Sequence, residues 1–96
     1  MIAVISTGKL KSGLEDKVKE FTGSRFISEL EKVAGINSIC VGYSREKGEM
    51  ATVIQWESRE ALEAGRNSQK FQSIFLEALE YLEPGSFTRN EYEILS

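Results

Sequence analysis

The stretch from Glu49 to Leu82 constrains this chain more than any other. Met50, Thr52, Ile54 and Trp56 alternate with Ala51, Val53 and Gln55, which is the period of a strand. Both sets are largely apolar, so the strand is expected inside a sheet and covered on two sides, away from any edge. Ser58 follows at once and is a good helix N-cap, because its hydroxyl can accept an otherwise orphan backbone N–H. Glu60 and Glu63 then place negative charge near the positive end of the helix dipole. Gly65-Arg66-Asn67 interrupts this first helical piece, and Ser68 offers a second cap. Beyond it Phe71, Ile74, Phe75, Ala78, Leu79 and Leu82 recur at helical spacing and form one apolar stripe. Glu83-Pro84-Gly85 ends the helix, since proline cannot continue the hydrogen-bond ladder.

The remainder arranges itself around that unit. Ile2 to Thr7 reads as a first strand, apolar on both faces apart from Ser6. A polar connection, Gly8 to Gly13, leads into a helix expected from Leu14 to Val33. Leu14, Val18 and Phe21 share one face of that helix, and Phe26, Leu30 and Val33 share another, rotated by more than about a third of a turn. Thr22-Gly23-Ser24 lies between the two stripes. One helix can bury both only through a break, a bulge or a bend, so a kink is expected there. Ala34-Gly35 stops the helix, and Ile36 to Ser44 reads as a second strand. It places Ile39, Val41 and Tyr43 on one face and Cys40 and Gly42 on the other. Arg45-Glu46-Lys47-Gly48 closes a hairpin onto the central strand. Phe87 to Leu95 is the last strand, with Phe87, Arg89, Glu91 and Glu93 opposite Thr88, Asn90, Tyr92 and Ile94. That charged face marks an edge, or a strand meeting another subunit through ion pairs.

Strand, helix, strand, strand, helix, strand is the order of an α+β ferredoxin-like βαββαβ sandwich. It is a four-stranded antiparallel sheet with its helices on one face. With 96 residues, positions 1–96 are expected to be a single domain. Strands apolar on both faces leave one sheet face uncovered, and a second copy packed sheet to sheet covers it, so a homodimer is expected.

Composition bounds the rest. A formal net charge of −3 and no basic stripe argue against a nucleic-acid partner. One cysteine excludes an internal disulfide and suits a reducing compartment. No run reaches membrane-spanning length, and the apolar start is too short for a signal peptide, so a cytoplasmic protein with no membrane partner is expected. No spacing of carboxylates, Cys40 and the other donors resembles a metal site, and no glycine loop resembles a phosphate cradle.

Several of these residues together resemble the antibiotic biosynthesis monooxygenase family of dimeric α/β-barrel proteins. They are Gln55-Trp56-Glu57-Ser58, then Glu60-Ala61-Leu62, then Ser68-Gln69-Lys70-Phe71, with Gly13 and Gly35 bracketing the first helix. The resemblance covers nearly the whole chain. It implies a small pocket in each subunit between sheet and helices, and cofactor-free oxygenation of a small aromatic or quinoid molecule. Another branch of the family degrades haem. Trp56 matches the family tryptophan. Gly65 stands where the family often has histidine and the haem branch an aromatic; Phe75 stands where that branch has its ligand histidine. Ser6 falls near that branch's first-strand asparagine. The chain has no histidine, which excludes histidine-ligated haem and an imidazole base, and no cofactor is expected.

The substrate-binding candidates are therefore Trp56, Tyr43, Ser6, Thr52, Arg66, Phe71 and Phe75, with no catalytic residue assigned. Each has a plainer reading. Trp56 is a pocket wall or core filler. Arg66 meets an anionic substrate group at a pocket mouth or is simply solvated. Tyr43 donates a hydrogen bond to a phenolate or lies on the dimer face. Ser6 and Thr52 are inward hydroxyls that can equally bond backbone or water. Phe71 and Phe75 belong to the core stripe before they belong to a cavity lining. Cys40 reads as a buried small hydrophobe. A non-catalytic dimeric module that binds a small molecule, or a purely structural dimer, is the alternative to an enzyme.

Overall fold

β1 (Ile2–Lys9) and β3 (Glu49–Trp56) lie side by side at the centre of the sheet because both carry apolar residues on each face. The computed structural model describes residues 1–96, and its sheet order is β2-β3-β1-β4, antiparallel throughout. β2 (Ile36–Ser44) and β4 (Thr88–Glu93) are the edges. This is the expected ferredoxin-like α+β topology.

Register decides which side chains meet the helices. Ser6 pairs with Thr52 on β3 and with Arg89 on β4, and Val4 pairs with Ile54 and Glu91. Ile2, Val4, Ser6, Ile54 and Trp56 are buried on the helix side. Ala3, Ile5, Ala51 and Val53 fall on the opposite face and are half-buried by their strand neighbours. Cys40 is on that face too and is exposed, not the buried small hydrophobe expected. It sits on edge strand β2, paired with Val53, where no second layer of this chain lies over it.

The first helical segment contains the irregularity that its two stripes demand. α1 (Glu15–Phe21) passes into a π-helical turn (Thr22–Phe26) and then into α2 (Ile27–Leu30). Phe21 and Phe26 are five residues apart, so a regular helix would hold them roughly 140° apart. The wider π turn absorbs an extra residue and brings both inward. Phe21, Phe26 and Leu30 are all buried, and the two phenyl rings lie 5.8 Å apart. The expected change of helical phase is present as a bulge, and the helix ends at Leu30, earlier than Val33.

The second half is broken where expected. Ser58 caps α3 (Arg59–Arg66), its Oγ accepting the Ala61 N–H at 3.1 Å; Ser68 caps α4 (Gln69–Leu79) by accepting the Phe71 N–H at 3.3 Å. Leu82 lies beyond α4. It forms an isolated bridge with Leu10 and packs over Gly8, where a Cβ would meet its Cδ1 at 2.6 Å. Trp56, Leu30, Leu62 and Ile74 are the largest fully buried side chains, and they tie both helical halves to one sheet face.

Candidate functional site

Trp56 is the last residue of β3, 1% exposed, and is enclosed at its backbone exit and on two sides of its ring. The Glu57 N–H donates to the Gly35 carbonyl at 2.9 Å, which holds the strand exit. Gly65 brings the backbone of α3 against the indole: a Cβ there would come within 2.2 Å of the ring. Phe71 of α4 closes the other side, its ring 5.7 Å from the indole and stacked on Phe75 at 4.5 Å. The absence of a side chain at position 65 therefore has a local cause, since the tryptophan occupies the space.

Because α3 stops at Arg66 and α4 restarts at Gln69, the helix layer has a step above the sheet. A cavity of about 460 Å³ opens beneath that step. Trp56, Phe71, Phe75, Val4, Ile54 and Leu62 make its apolar wall, while Ser6, Arg66, Asn67, Gln72 and Arg89 supply polar groups. Its size and mixture are those of an ordinary small-molecule site, mostly apolar with a few convergent polar groups. A narrow extension of about 50 Å³ continues past Ser6 and Phe75 to Thr52 and Met50.

The β4 end of this cavity is the charged end. Glu91 accepts from Arg59 through Oε1, and from Arg89 at 2.5 Å through Oε2, with Arg66 at 3.5 Å from the same oxygen. The hydrogen bond from Arg59, and after it the one from Arg89, hold the Glu91 carboxyl below the usual carboxylate range. The same pairing raises Arg59 further. The charged face of β4 thus makes ion pairs with α3 inside the chain. Arg89 Nη1 is engaged with Glu91, and Arg89 Nη2 is buried without a hydrogen-bond partner.

The structure brings together five of the seven residues singled out from sequence: Trp56, Ser6, Arg66, Phe71 and Phe75 all line the main cavity. Thr52 lines only the extension. Tyr43 is 39% exposed and faces a separate groove near Glu15, Asp16 and Lys19. Arg89 and Phe87 are cavity residues that sequence reasoning left out. The signal for Arg89 was present, because pairing a ferredoxin-like β4 with β1 puts alternate β4 residues under the helices. No group of His, Cys, Asp and Glu side chains could hold a metal ion, and no helix is long and apolar enough to cross a membrane.

A ferredoxin-like sheet with a pocket between its helix layer and Trp56 is a shape shared with known proteins. No family model matches the sequence, and no curated protein matches it. Solved structures do. A crystal structure of an antibiotic biosynthesis monooxygenase superposes with a TM-score of 0.79 over 100% of both chains at 13% identity. Rv0793 from Mycobacterium tuberculosis gives 0.78 over 99% of this chain and 95% of its own at 19% identity. A conserved protein from Methanosarcina mazei Go1 gives 0.75 over 96% and 90% at 24% identity. The chain has the fold of the antibiotic biosynthesis monooxygenases, and the resemblance read from its motifs holds at the level of fold.

Proposed function

We propose that this chain is a cofactor-independent oxygenase of the antibiotic biosynthesis monooxygenase type, acting on a small aromatic or quinoid molecule in the cavity beside Trp56. The observation that carries the reading is that cavity, about 460 Å³ with aromatic walls in a fold shared with such proteins. The substrate supplies the electrons. Loss of a proton from an activated ring C–H leaves a carbanion, dioxygen adds to that carbon as a hydroperoxide, and loss of water leaves a carbonyl. Trp56, Phe71 and Phe75 orient the ring and exclude water, and the Ser6 hydroxyl offers a hydrogen bond at the floor. The only charged residues lining the cavity are Arg66 and Arg89, so the chain contributes positive charge that favours the deprotonated substrate and no general base of its own.

Oxygen-electrode assays over a panel of hydroquinones and anthrones test this. Uptake above buffer, reduced by Trp56→Ala, is the expected result, and no uptake with any member sinks the oxygenase reading. The lack of a base favours one rival, a binding module of the same fold that holds a small molecule without turnover. Ligand-dependent thermal stabilisation with no oxygen uptake identifies it.

The proposal includes a homodimer. Ala3, Ile5, Ala51 and Val53 form the apolar centre of the sheet face that carries no helices. A second copy packed there completes the expected dimeric α/β barrel. Sedimentation of a folded monomer at micromolar concentration contradicts the pairing.

A further inference from the structure

Two arginines, Arg66 and Arg89, line the cavity, and no acid does. Arg59, Arg66 and Arg89 converge on one carboxylate, Glu91, and between them use both of its oxygens. Glu91 is therefore saturated, and it neutralises one of the three charges. Glu63 and Glu93 also bear on the cluster through Arg59. Neither of them lines the cavity, nor does any other acid.

Within that cluster Arg89 is in an unusual state. Ser6 is its cross-strand partner, which puts Arg89 on the helix side of the sheet, and its side chain is 29% exposed. Nη1 is committed to Glu91, while Nη2 is shut off from solvent with no acceptor in the chain. A buried charged donor without an acceptor is rare in folded proteins, because leaving one unmade forfeits the full cost of desolvating it. Here the orphan belongs to a residue in the wall of a ligand-sized cavity.

We infer that the cavity is built for an aromatic anion, whose carboxylate or phenolate oxygen is drawn to the positive charge of Arg66 and Arg89 while its ring lies against Phe71 and Phe75. Arg66, at the end of α3 and 45% exposed, completes the subsite at the mouth. Glu91 is a positioning residue: through Nη1 it fixes the Arg89 guanidinium at the cavity wall. The inference rests on the proposal that the cavity binds a small aromatic molecule, but it does not need turnover.

The test is isothermal titration calorimetry of the whole protein at low ionic strength with 2-naphthoate and with its neutral counterpart 2-naphthamide. The two probes differ in charge and hardly in shape. Naphthoate is expected to bind at least about tenfold more tightly. Arg89→Gln is expected to bring the two affinities together by weakening naphthoate far more than naphthamide, and Arg66→Gln to narrow the gap by less. Arg89→Lys, which keeps the charge and loses the fork, is expected to restore part of the preference. A circular-dichroism melt establishes that each variant folds, and if Arg89→Gln does not fold, Arg89→Lys and Arg66→Gln still read the effect. Equal affinity of both probes for the unmodified protein overturns the anion subsite and leaves the cavity as a binding site. Full preference for naphthoate in Arg89→Gln overturns it too. No binding of either probe overturns both the subsite and the reading beneath it.

Discussion

The two helical halves of the chain meet the same difficulty in different ways. Each must turn an apolar stripe from one direction to another while staying over the sheet. The first half inserts a π turn at Thr22–Phe26 and remains one continuous helix. The second stops at Arg66 and restarts at Gln69. Both interruptions contain a glycine followed by a serine, but the serines have different tasks. Ser24 donates back to the Glu20 carbonyl at 2.7 Å, as a residue inside a helix does. Ser68 donates to the Gly65 carbonyl at 2.6 Å and accepts the Phe71 N–H, ending one helix and starting the next. The bulged half keeps its cover, with the Phe21 ring 5.0 Å from Tyr81 and 5.8 Å from Phe26. The broken half leaves a step, and the cavity lies under it. A bulge re-aims a buried stripe, whereas a capped break also places polar groups such as Arg66 and Asn67 at an opening.

The largest test of this contrast compares truncations in the filled and the open half. Leu30, 0% exposed in the first half, has no room to relax into, and Leu30→Ala is expected to cost about 2–5 kcal/mol. Phe71 already borders empty space, so Phe71→Ala is expected to fall below the about 3–5 kcal/mol typical of an enclosed phenylalanine. Urea unfolding of both variants reads the difference. If Phe71→Ala costs clearly more than Leu30→Ala, the second half is as filled as the first.

The two glycines sharpen the comparison next. A Cβ at Gly65 collides with the Trp56 ring, and overpacking of that kind costs about 1–3 kcal/mol. Part of that is offset by the roughly 0.8–1.0 kcal/mol that alanine gains over glycine in a helix. Gly65→Ala is therefore expected to destabilise the fold and to move the fluorescence of the only tryptophan. Nothing lies within 4 Å of a Cβ at Gly23, so Gly23→Ala is expected to stabilise by about 0.5–1 kcal/mol. A loss of stability at Gly23 equal to that at Gly65 means that the π turn itself needs a glycine.

What sequence reading reached and missed follows from the range of the forces involved. The bulge near Thr22-Gly23-Ser24 was legible because two apolar stripes out of phase are a local pattern. So were the break at Gly65–Asn67 and its serine caps. Strand order followed from the alternation of elements. Cys40 was misjudged because Ile39-Cys40-Val41 looks apolar throughout, and only the sheet order shows that β2 is an edge. Arg89 was read only as part of a charged face marking an edge or a subunit contact, because burial on β4 depends on its register with β1, a relation between residues more than eighty positions apart such as Ser6 and Arg89. Tyr43 shares the helix-side face with Ile39 and Val41, but it lies at the far end of β2 from Trp56: it pairs with Met50, while Ile36 pairs with Trp56.

The caps provide a smaller effect. Ser68→Ala removes the acceptor for the Phe71 N–H and is expected to cost about 0.5–2 kcal/mol. Ser24→Ala, inside the continuous helix, removes only a bond back to a carbonyl that the backbone already serves, and is expected to be near neutral. Chemical denaturation resolves the pair, and equal losses erase the distinction between a break and a bulge.

The smallest effect lies in the pH dependence of the charged end of the cavity. Glu91 is held below its usual pKa by the Arg59 and Arg89 hydrogen bonds, so the folded state binds its proton less readily than the unfolded chain does. Its contribution to stability is therefore fully present above the unfolded value of about 4.3. It declines as pH falls from there through the depressed folded value. Arg59, shifted upward, stays protonated across this window and adds no slope of its own. Glu91 is 25% exposed and Arg59 49%, so solvent screens the pair and the effect stays modest. Glu91→Gln removes the titrating group. The stability difference between the unmodified protein and this variant is expected to be constant above about pH 5 and to shrink below the usual carboxylate range. Added salt is expected to reduce the plateau. The first half has no comparable cluster: its Arg25 reaches across to Glu77 of α4 at 2.7 Å, and the two side chains are 57% and 46% exposed. An acid limb that is the same in Glu91→Gln as in the unmodified protein removes the coupled charge from this end of the cavity.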